Sequence, residues 1–266
     1  PKQKSGFISM SADGPVGKSE AMQLLREQTK VLAGHDAPVL ISGDGGTGRK
    51  ACAEYIHSQG ARSSSLFQRV SGGALTDATA EQQLAGVQTD TGVEQGLLDA
   101  CNGGTLFISD IHKMEPEAQK FLVAVLQQGF FNRPGSSIPV RLETRIIAST
   151  VPDESLELSS GLSLAVGALQ LRLPALAEYC EDIPELLRFY VEKLVVSEGL
   201  AFRNFGFAAQ NRLRNYPWPG NVLELKRLVR QLLLSGGAEE VGLDEVERLL
   251  EADSPETDSL VTCDML

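Results

Sequence analysis

The sequence has no long apolar run, a single tryptophan, four cysteines and three histidines set far apart. The first absence excludes a membrane-spanning helix, which needs about 20 consecutive apolar residues. No basic stretch leading into an apolar segment opens the chain, so no secretory signal is visible. Cys52, Cys101, Cys180 and Cys263 contain no C-x-x-C pair. Scattered single cysteines fit small buried residues in a reducing compartment, so a cytoplasmic setting is expected. His35, His57 and His112 have no partner at metal-ligand spacing, and no metal site is expected. Positive charge is also scarce, with 24 Lys and Arg against 35 Asp and Glu for a net -11. A surface this acidic binds nucleic acid poorly on its own.

What remains is an ordinary globular composition, 42% hydrophobic and 22% charged over 266 residues. That length fits one large domain or a large and a small one. The chain begins at Pro1 and not at Met, which reads as a segment of a longer polypeptide. Residues 1–15 are polar and Gly/Ser/Lys-rich and read as a flexible arm. The spacing then predicts a helix over Ser19–Val31, capped by Ser19, with Met22, Leu25 and Val31 as its apolar face. Short apolar runs at Pro38–Ile41, Leu66–Val70, Thr105–Ile108 and Arg145–Thr150 read as strands. Ala51–Ser58 and Pro116–Gln128 read as helices, the latter with Phe121, Leu122, Val125 and Leu126 on one face. Alternating strands and helices predict an α/β fold with a mainly parallel sheet. From about Pro184 the pattern is helical only, at Pro184–Ser197, Ala208–Asn215, Asn221–Leu234 and Leu243–Leu250. The acidic stretch 251–266 reads as a disordered tail.

One motif carries chemistry. The strand ending at Ile41 runs into Gly43-Asp44-Gly45-Gly46-Thr47-Gly48-Arg49-Lys50 and then a helix. Strand, Gly-rich turn and helix together form a phosphate cradle, because the turn's N–H groups and the helix dipole point at one spot. The G-x-x-x-x-G-K-[ST] pattern is met at the glycines. Arg49 stands at the lysine position, and Lys50 stands where many such loops carry a magnesium-binding hydroxyl. Arginine keeps the charge but is longer and forked, so the exchange is not neutral. Without a ligand, the same motif is simply a Gly-rich turn.

Further motifs extend along the chain. Val16-Gly17-Lys18-Ser19-Glu20-Ala21-Met22 resembles an opening IGxSxxM, and residues 43–50 resemble GESGTGKE. Asn102–Phe107 resembles the run before a Walker B strand, and Leu173–Leu176 with Glu181–Pro184 resembles LPPLRERxEDIP. Tyr216-Pro217-Trp218-Pro219-Gly220-Asn221-Val222 resembles WPGNVREL. From about Val16 to Leu250 the chain resembles the central AAA+ domain of sigma-54-dependent transcriptional activators, the bacterial enhancer-binding proteins. The resemblance implies an αβα P-loop core over 16–184 and a small all-helical lid over 185–250. It places nucleotide contacts at Val16, Gly17 and Gly43 through Lys50.

The departures are as informative. Where the family reads GGTLFLDEI this chain reads GGTLFISDI, so Ser109 replaces the metal-holding Asp and Asp110 the water-polarising Glu. Val151 takes the sensor Asn position, Ser159 and Ala165 the two arginine-finger positions, and Leu223 the lid sensor arginine. Glu81–Gly86 matches the family's ESELFG, but the following Val87–Gln95 lacks GAFTGA, the sigma-54 contact, and is about six residues short. The catalytic set is therefore expected to be empty, with ATP or ADP held weakly and Mg²⁺ unused.

Some relatives hold cyclic di-GMP on this domain, and Lys2, Lys4, Lys18 and Arg49 are the candidate contacts here. Trp218 between two prolines reads as a packing anchor. Lys226, Arg227 and Arg230 read as a solvated face, and Arg133, Arg141, Arg145 and Arg172 as cations that sequence cannot group. Three functions stay open. The chain is a non-hydrolysing switch or scaffold in bacterial gene regulation, a working ATPase with relocated residues, or an interaction module with an empty loop. The expected partners are its own copies or a related AAA+ regulator, and RNA polymerase. DNA is expected to be reached only through a helix-turn-helix outside this chain, and no membrane is expected.

Overall fold

The computed structural model describes residues 10–11, 14–152 and 158–253. Five short apolar segments form its central sheet: β1 (Val39–Ser42), β2 (Phe67–Ser71), β5 (Thr105–Ser109), β8 (Arg145–Thr150) and β9 (Leu169–Arg172). The omitted numbers belong to two hairpins, β3 (Gly86–Thr89) with β4 (Gly92–Gln95), and β6 (Phe130–Asn132) with β7 (Pro139–Arg141). The sheet order is β9-β1-β8-β5-β2 and every pairing is parallel.

A parallel sheet is covered on both faces, so its strands alternate between two cores. Val39, Ile41, Phe107, Ile147 and Leu171 point into one core, whereas Leu40, Leu106, Ile108, Ile146 and Ala148 point into the other. The first face is covered by α1 (Glu20–Ala33) and α2 (Arg49–Gln59). The second is covered by α3 (Ala80–Ala85), α4 (Leu97–Ala100), α5 (Pro116–Gln128) and α6 (Ser160–Val166).

Helix ends follow local chemistry. Ser19 Oγ accepts from the Met22 N–H at 3.3 Å and starts α1. Pro116 opens α5, and left-handed Gly129 closes it. The buried side of α1 runs through Met22, Leu25, Thr29, Leu32 and Ala33. Val31 is 62% exposed and does not belong to it. The buried position is taken instead by Thr29, whose hydroxyl is satisfied by the Leu25 carbonyl at 2.8 Å.

The C-terminal helices are α7 (Ile183–Glu198), α8 (Phe207–Arg214), α9 (Asn221–Leu234) and α10 (Leu243–Asp253). Their apolar residues join the first core without a break. The helical-only reading of this part is corrected by a two-residue parallel bridge, β10 (Asn204–Phe205) with β11 (Glu240–Val241). Buried Arg203 braces that bridge, donating to the Leu232 carbonyl at 2.9 Å and pairing with Glu245 at 2.9 Å.

Two expectations at the ends also change. Gly14–Pro15 is buried and pairs with Met10–Ser11, because Arg26 Nη1 binds the Pro15 and Gly17 carbonyls at 2.7 and 2.8 Å. Glu251–Asp253 continue α10, so the reading of a disordered tail fails there; its remainder, like most of the expected arm, lies outside the described residues.

Trp218 is 1% exposed, donates from Nε1 to the Leu213 carbonyl at 2.9 Å and meets Tyr216 edge-on at 5.0 Å. Trp218→Ala is expected to lower the unfolding free energy by about 3–5 kcal/mol, which urea denaturation would measure.

Candidate functional site

In a parallel α/β sheet the loops after the strand C-termini gather along one edge. Here those loops follow Ser42, Ser71, Ser109 and Thr150. The Gly43–Gly48 turn leaves β1 with Gly43 N–H on the Thr150 carbonyl at 3.3 Å. It closes on itself through Thr47, whose N–H and hydroxyl both donate to the Asp44 carbonyl, at 3.3 and 2.8 Å. Gly46 and Gly48 take φ of +81° and +108°, a region a side chain rarely enters. The N–H groups of Gly46, Gly48, Arg49 and Lys50 find no acceptor among the described residues. Free donors at a helix N-terminus are the physical content of an anion cradle.

The cradle opens into a cavity of about 460 Å³ lined by Gly46, Gly48, Arg49, Lys50, Arg69, Phe107, Ser109, Asp110, Ser149, Tyr190, Val222, Leu223 and Lys226. Four of these side chains are cations and one is a carboxylate. Arg49 spends one arm on that carboxylate, with Nη2 3.1 Å from Asp110 Oδ1. Its other terminal nitrogen, Nη1, is buried and has no hydrogen-bond partner among the described residues. Lys50 is balanced by Glu54 at 3.4 Å along α2. Arg69 reaches over from β2 and donates from Nε to Ser109 Oγ at 3.4 Å. Lys226 comes from α9. Burial holds its ammonium below the usual lysine value, with the neighbouring charges of Lys193 and Arg230 adding to the shift and Glu198 opposing it. An anion entering the cavity would relieve that repulsion.

Asp110 adopts φ +51° and ψ +55°, and its N–H is held by Ser149 Oγ at 3.3 Å. The roof comes from α9. Asn221 Nδ2 donates to the Gly45 carbonyl at 2.9 Å, and the Leu223 N–H to the Gly46 carbonyl at 3.2 Å.

A divalent metal does not fit this donor set. Ser109 brings no charge, Asp110 is already paired with Arg49, and Lys50 and Arg69 would repel a dication. Among the described residues no three His, Cys, Asp or Glu side chains are grouped to hold a metal ion.

Of the positions singled out in the sequence, the structure brings Gly46, Gly48, Arg49, Lys50, Ser109, Asp110 and Leu223 to one cavity wall. Gly43, Asp44, Gly45 and Thr47 complete the turn behind it. Val16 and Gly17 line a different cavity of about 320 Å³. There the neighbouring N–H groups of Lys18 and Ser19 are held by Asp182 Oδ1, at 2.7 and 3.0 Å. Val151 lies just past β8, Ser159 caps α6 and Ala165 sits within it, all three outside the phosphate cavity. Lys18 faces Glu185 at 3.7 Å, apart from Arg49, while Lys2 and Lys4 lie outside the described residues.

The sequence reading missed Arg69, Ser149, Asn221 and Lys226 as site residues. It also took Lys226 for part of a solvated face. Arg133, Arg145 and Arg172 do not converge: Arg133 pairs with Asp99 at 2.6 Å, whereas Arg145 begins β8 and Arg172 ends β9, at opposite ends of parallel strands.

Comparison with known proteins gives this geometry its family. The sigma-54 interaction domain matches residues 15–162, and the AAA+ ATPase lid domain matches residues 177–262. The chain belongs to the sigma-54 interaction domain family. Similar members of that family include the nitrogen assimilation regulatory protein NtrX of Azorhizobium caulinodans, 35% identical over 231 residues, 84% of this chain and 51% of that protein. The DNA-binding transcriptional regulator NtrC of Azospirillum brasilense is 34% identical over 250 residues, 90% of this chain and 52% of that protein. The chain thus spans about half the length of these relatives. Among solved structures, NtrX from Brucella abortus in complex with ATP superposes with a TM-score of 0.75 at 28% identity, covering 87% of this chain and 53% of that one. Thermotoga maritima RuvB superposes with a TM-score of 0.67 at 18% identity, covering 92% of this chain and 73% of that one, a likeness of fold alone.

The contact between this family member's phosphate turn and its lid is testable. A methyl group at Gly46 would stand 2.2 Å from the Gly220 carbonyl oxygen, on a backbone already at φ +81°. Gly46→Ala is expected to lift the start of α9 from the turn. Faster hydrogen exchange at the Leu223 amide, with a lower urea midpoint, is the expected readout.

Proposed function

We propose that this domain binds ATP or ADP as a non-hydrolysing switch or scaffold within a bacterial transcription regulator. The observation that carries this reading is the 3.1 Å pair between Arg49 and Asp110. Among the described residues Asp110 is the one carboxylate lining the cavity, and the pairing ties it to the cation of the phosphate turn. A carboxylate so held is poorly placed to take a proton from water, and no second acid stands beside it to hold a metal. The phosphate-binding features meanwhile persist, with free turn N–H groups, two left-handed glycines and several cations. Brucella abortus NtrX, of the same fold, has been solved with ADP and with ATP, which supports nucleotide as the ligand class here.

In this reading the α/β core spans 16–184 and the lid 185–250. The nucleotide's phosphates meet Gly43 through Lys50, while Ser109, Asp110, Val151, Ser159, Ala165 and Leu223 mark lost chemistry. Its setting is the cytoplasm, and its partners are further copies, a related AAA+ regulator or RNA polymerase. Productive contact with sigma-54 is not among its functions. The segment that would carry that contact folds into the hairpin β3–β4, closed by Asp90 and Thr91 alone, and Gln88 N–H docks it at 2.9 Å onto Pro134 of the second hairpin.

Purified protein is expected to release phosphate from ATP far more slowly than about 1 s⁻¹, the low end for enzymes. Turnover at or above that rate would overturn the reading in favour of a working ATPase. Calorimetry is expected to show weak nucleotide binding, and a complete absence of binding would favour an interaction module with an empty turn. At a sigma-54 promoter, with this domain as sole activator, no open complex is expected by permanganate footprinting.

A further inference from the structure

We propose that Arg69 is a built-in cation standing in for the divalent metal, so that the cavity takes a metal-free nucleoside di- or triphosphate. This rests on the nucleotide reading above and names the residue that makes the site independent of metal. The placement follows from strand register. β2 and β5 pair in parallel with Arg69 opposite Phe107 and Ser71 opposite Ser109. Residues two apart on a strand share a face, so Arg69 and Ser109 emerge on the side of the sheet that Phe107 shares with α2. The guanidinium lies 3.4 Å from the Ser109 hydroxyl, at the position where the family's metal-holding Asp would stand.

Two features therefore meet at one point. No acid stands at 109, and a cation stands beside it on the neighbouring strand. Either alone leaves the cavity poorly matched to phosphate: Ser109 alone removes the metal's anchor, and Arg69 beside an aspartate would be neutralised by it. Together they leave a guanidinium that has a single hydroxyl contact and no ion pair among the described residues. Its remaining N–H groups form a fork suited to two phosphate oxygens. It faces the same cavity as Arg49, Lys50 and Lys226, so a polyphosphate would meet cations from the turn, the sheet and the lid.

The test is calorimetry with ADP and with ATP, in MgCl₂ and in EDTA, on the wild-type domain and on Arg69→Ala, Arg69→Gln and Arg69→Lys. Arg69 is exposed, so the variants are expected to unfold at the wild-type urea midpoint without nucleotide. For the wild type, dissociation constants in MgCl₂ and EDTA are expected to agree within about twofold. Arg69→Ala and Arg69→Gln are expected to weaken binding about tenfold or more in EDTA, as for loss of a charge-assisted contact. Arg69→Lys, which keeps the charge and loses the fork, is expected to fall between.

Wild-type binding that collapses in EDTA, or Arg69→Ala and Arg69→Gln binding as the wild type does, would overturn this inference and leave the nucleotide reading intact. Failure of the wild type to bind either nucleotide in either buffer would overturn both.

Discussion

A single buried amide ties together the parts on which the cavity depends. Asn221 donates through Nδ2 to the Gly45 carbonyl of the phosphate turn and accepts through Oδ1 from the Leu176 N–H at 2.8 Å. One side chain thereby fixes the turn, the segment leading into α7, and the first residue of α9. The next contact, Leu223 N–H to the Gly46 carbonyl, uses one of the four donors that every helix start leaves unsatisfied. The Gly45 and Gly46 carbonyls are thus occupied by the lid, while the N–H groups of Gly46, Gly48, Arg49 and Lys50 find no acceptor among the described residues. That division of labour lets a chain segment be held rigidly and still present donors to an anion. It also demands glycine at 46, because any side chain there would occupy the space of the Gly220 carbonyl.

Electrostatics gives the cavity its character. The chain carries a net charge of -11, yet this one concavity collects Arg49, Lys50, Arg69 and Lys226 against Asp110. In a partly enclosed site such charges act through a lower dielectric than at the surface and are screened less by salt. Burial in its own right disfavours the Lys226 ammonium, with Lys193 and Arg230 adding to that effect. Like charges are held together here by the fold. Val222 and Leu225 of α9 are buried in the same core as Ile41 and Phe107 of the sheet, so packing brings Lys226 over the cavity, while Arg49 and Lys50 are also held by Asp110 and Glu54.

Much of the fold was legible because its elements have strong local signals. Pro116–Gln128, Asn221–Leu234 and Arg145–Thr150 have the boundaries that capping and periodicity indicate. The β9 strand, Leu-Gln-Leu-Arg, escaped because an edge strand with one exposed face looks like a polar loop, and its place beside β1 is set by tertiary packing. The hairpins escaped for a related reason. Short two-stranded ribbons are marginal alone, and these two are docked against each other. In the site, the phosphate turn declares itself through its glycine spacing. Arg69 and Lys226 do not, since a cation on a strand or helix ordinarily marks the solvent side. Only the β2–β5 register and the seating of α9 on the turn reveal that both line the cavity. Val16 and Gly17, expected to touch nucleotide from their place in the family pattern, line a neighbouring cavity.

The pattern of what is kept and what is changed follows from the different physical demands of folding and chemistry. Trp218, Asn221 and the left-handed glycines satisfy packing, hydrogen-bonding and backbone constraints that any folded member must meet. Replacing them would leave a void, an orphaned polar group or a steric clash. Ser109, Asp110 and Leu223 stand at the rim of a polar cavity, where a change of charge alters what the site can hold but costs the fold little. In this chain Ser109 on β5 brings no charge to the cavity, Arg69 on β2 brings a positive one, and the carboxylate of Asp110 is paired with Arg49 of the turn. Four cations around a turn with free N–H donors make an anion the class of ligand that this cavity suits.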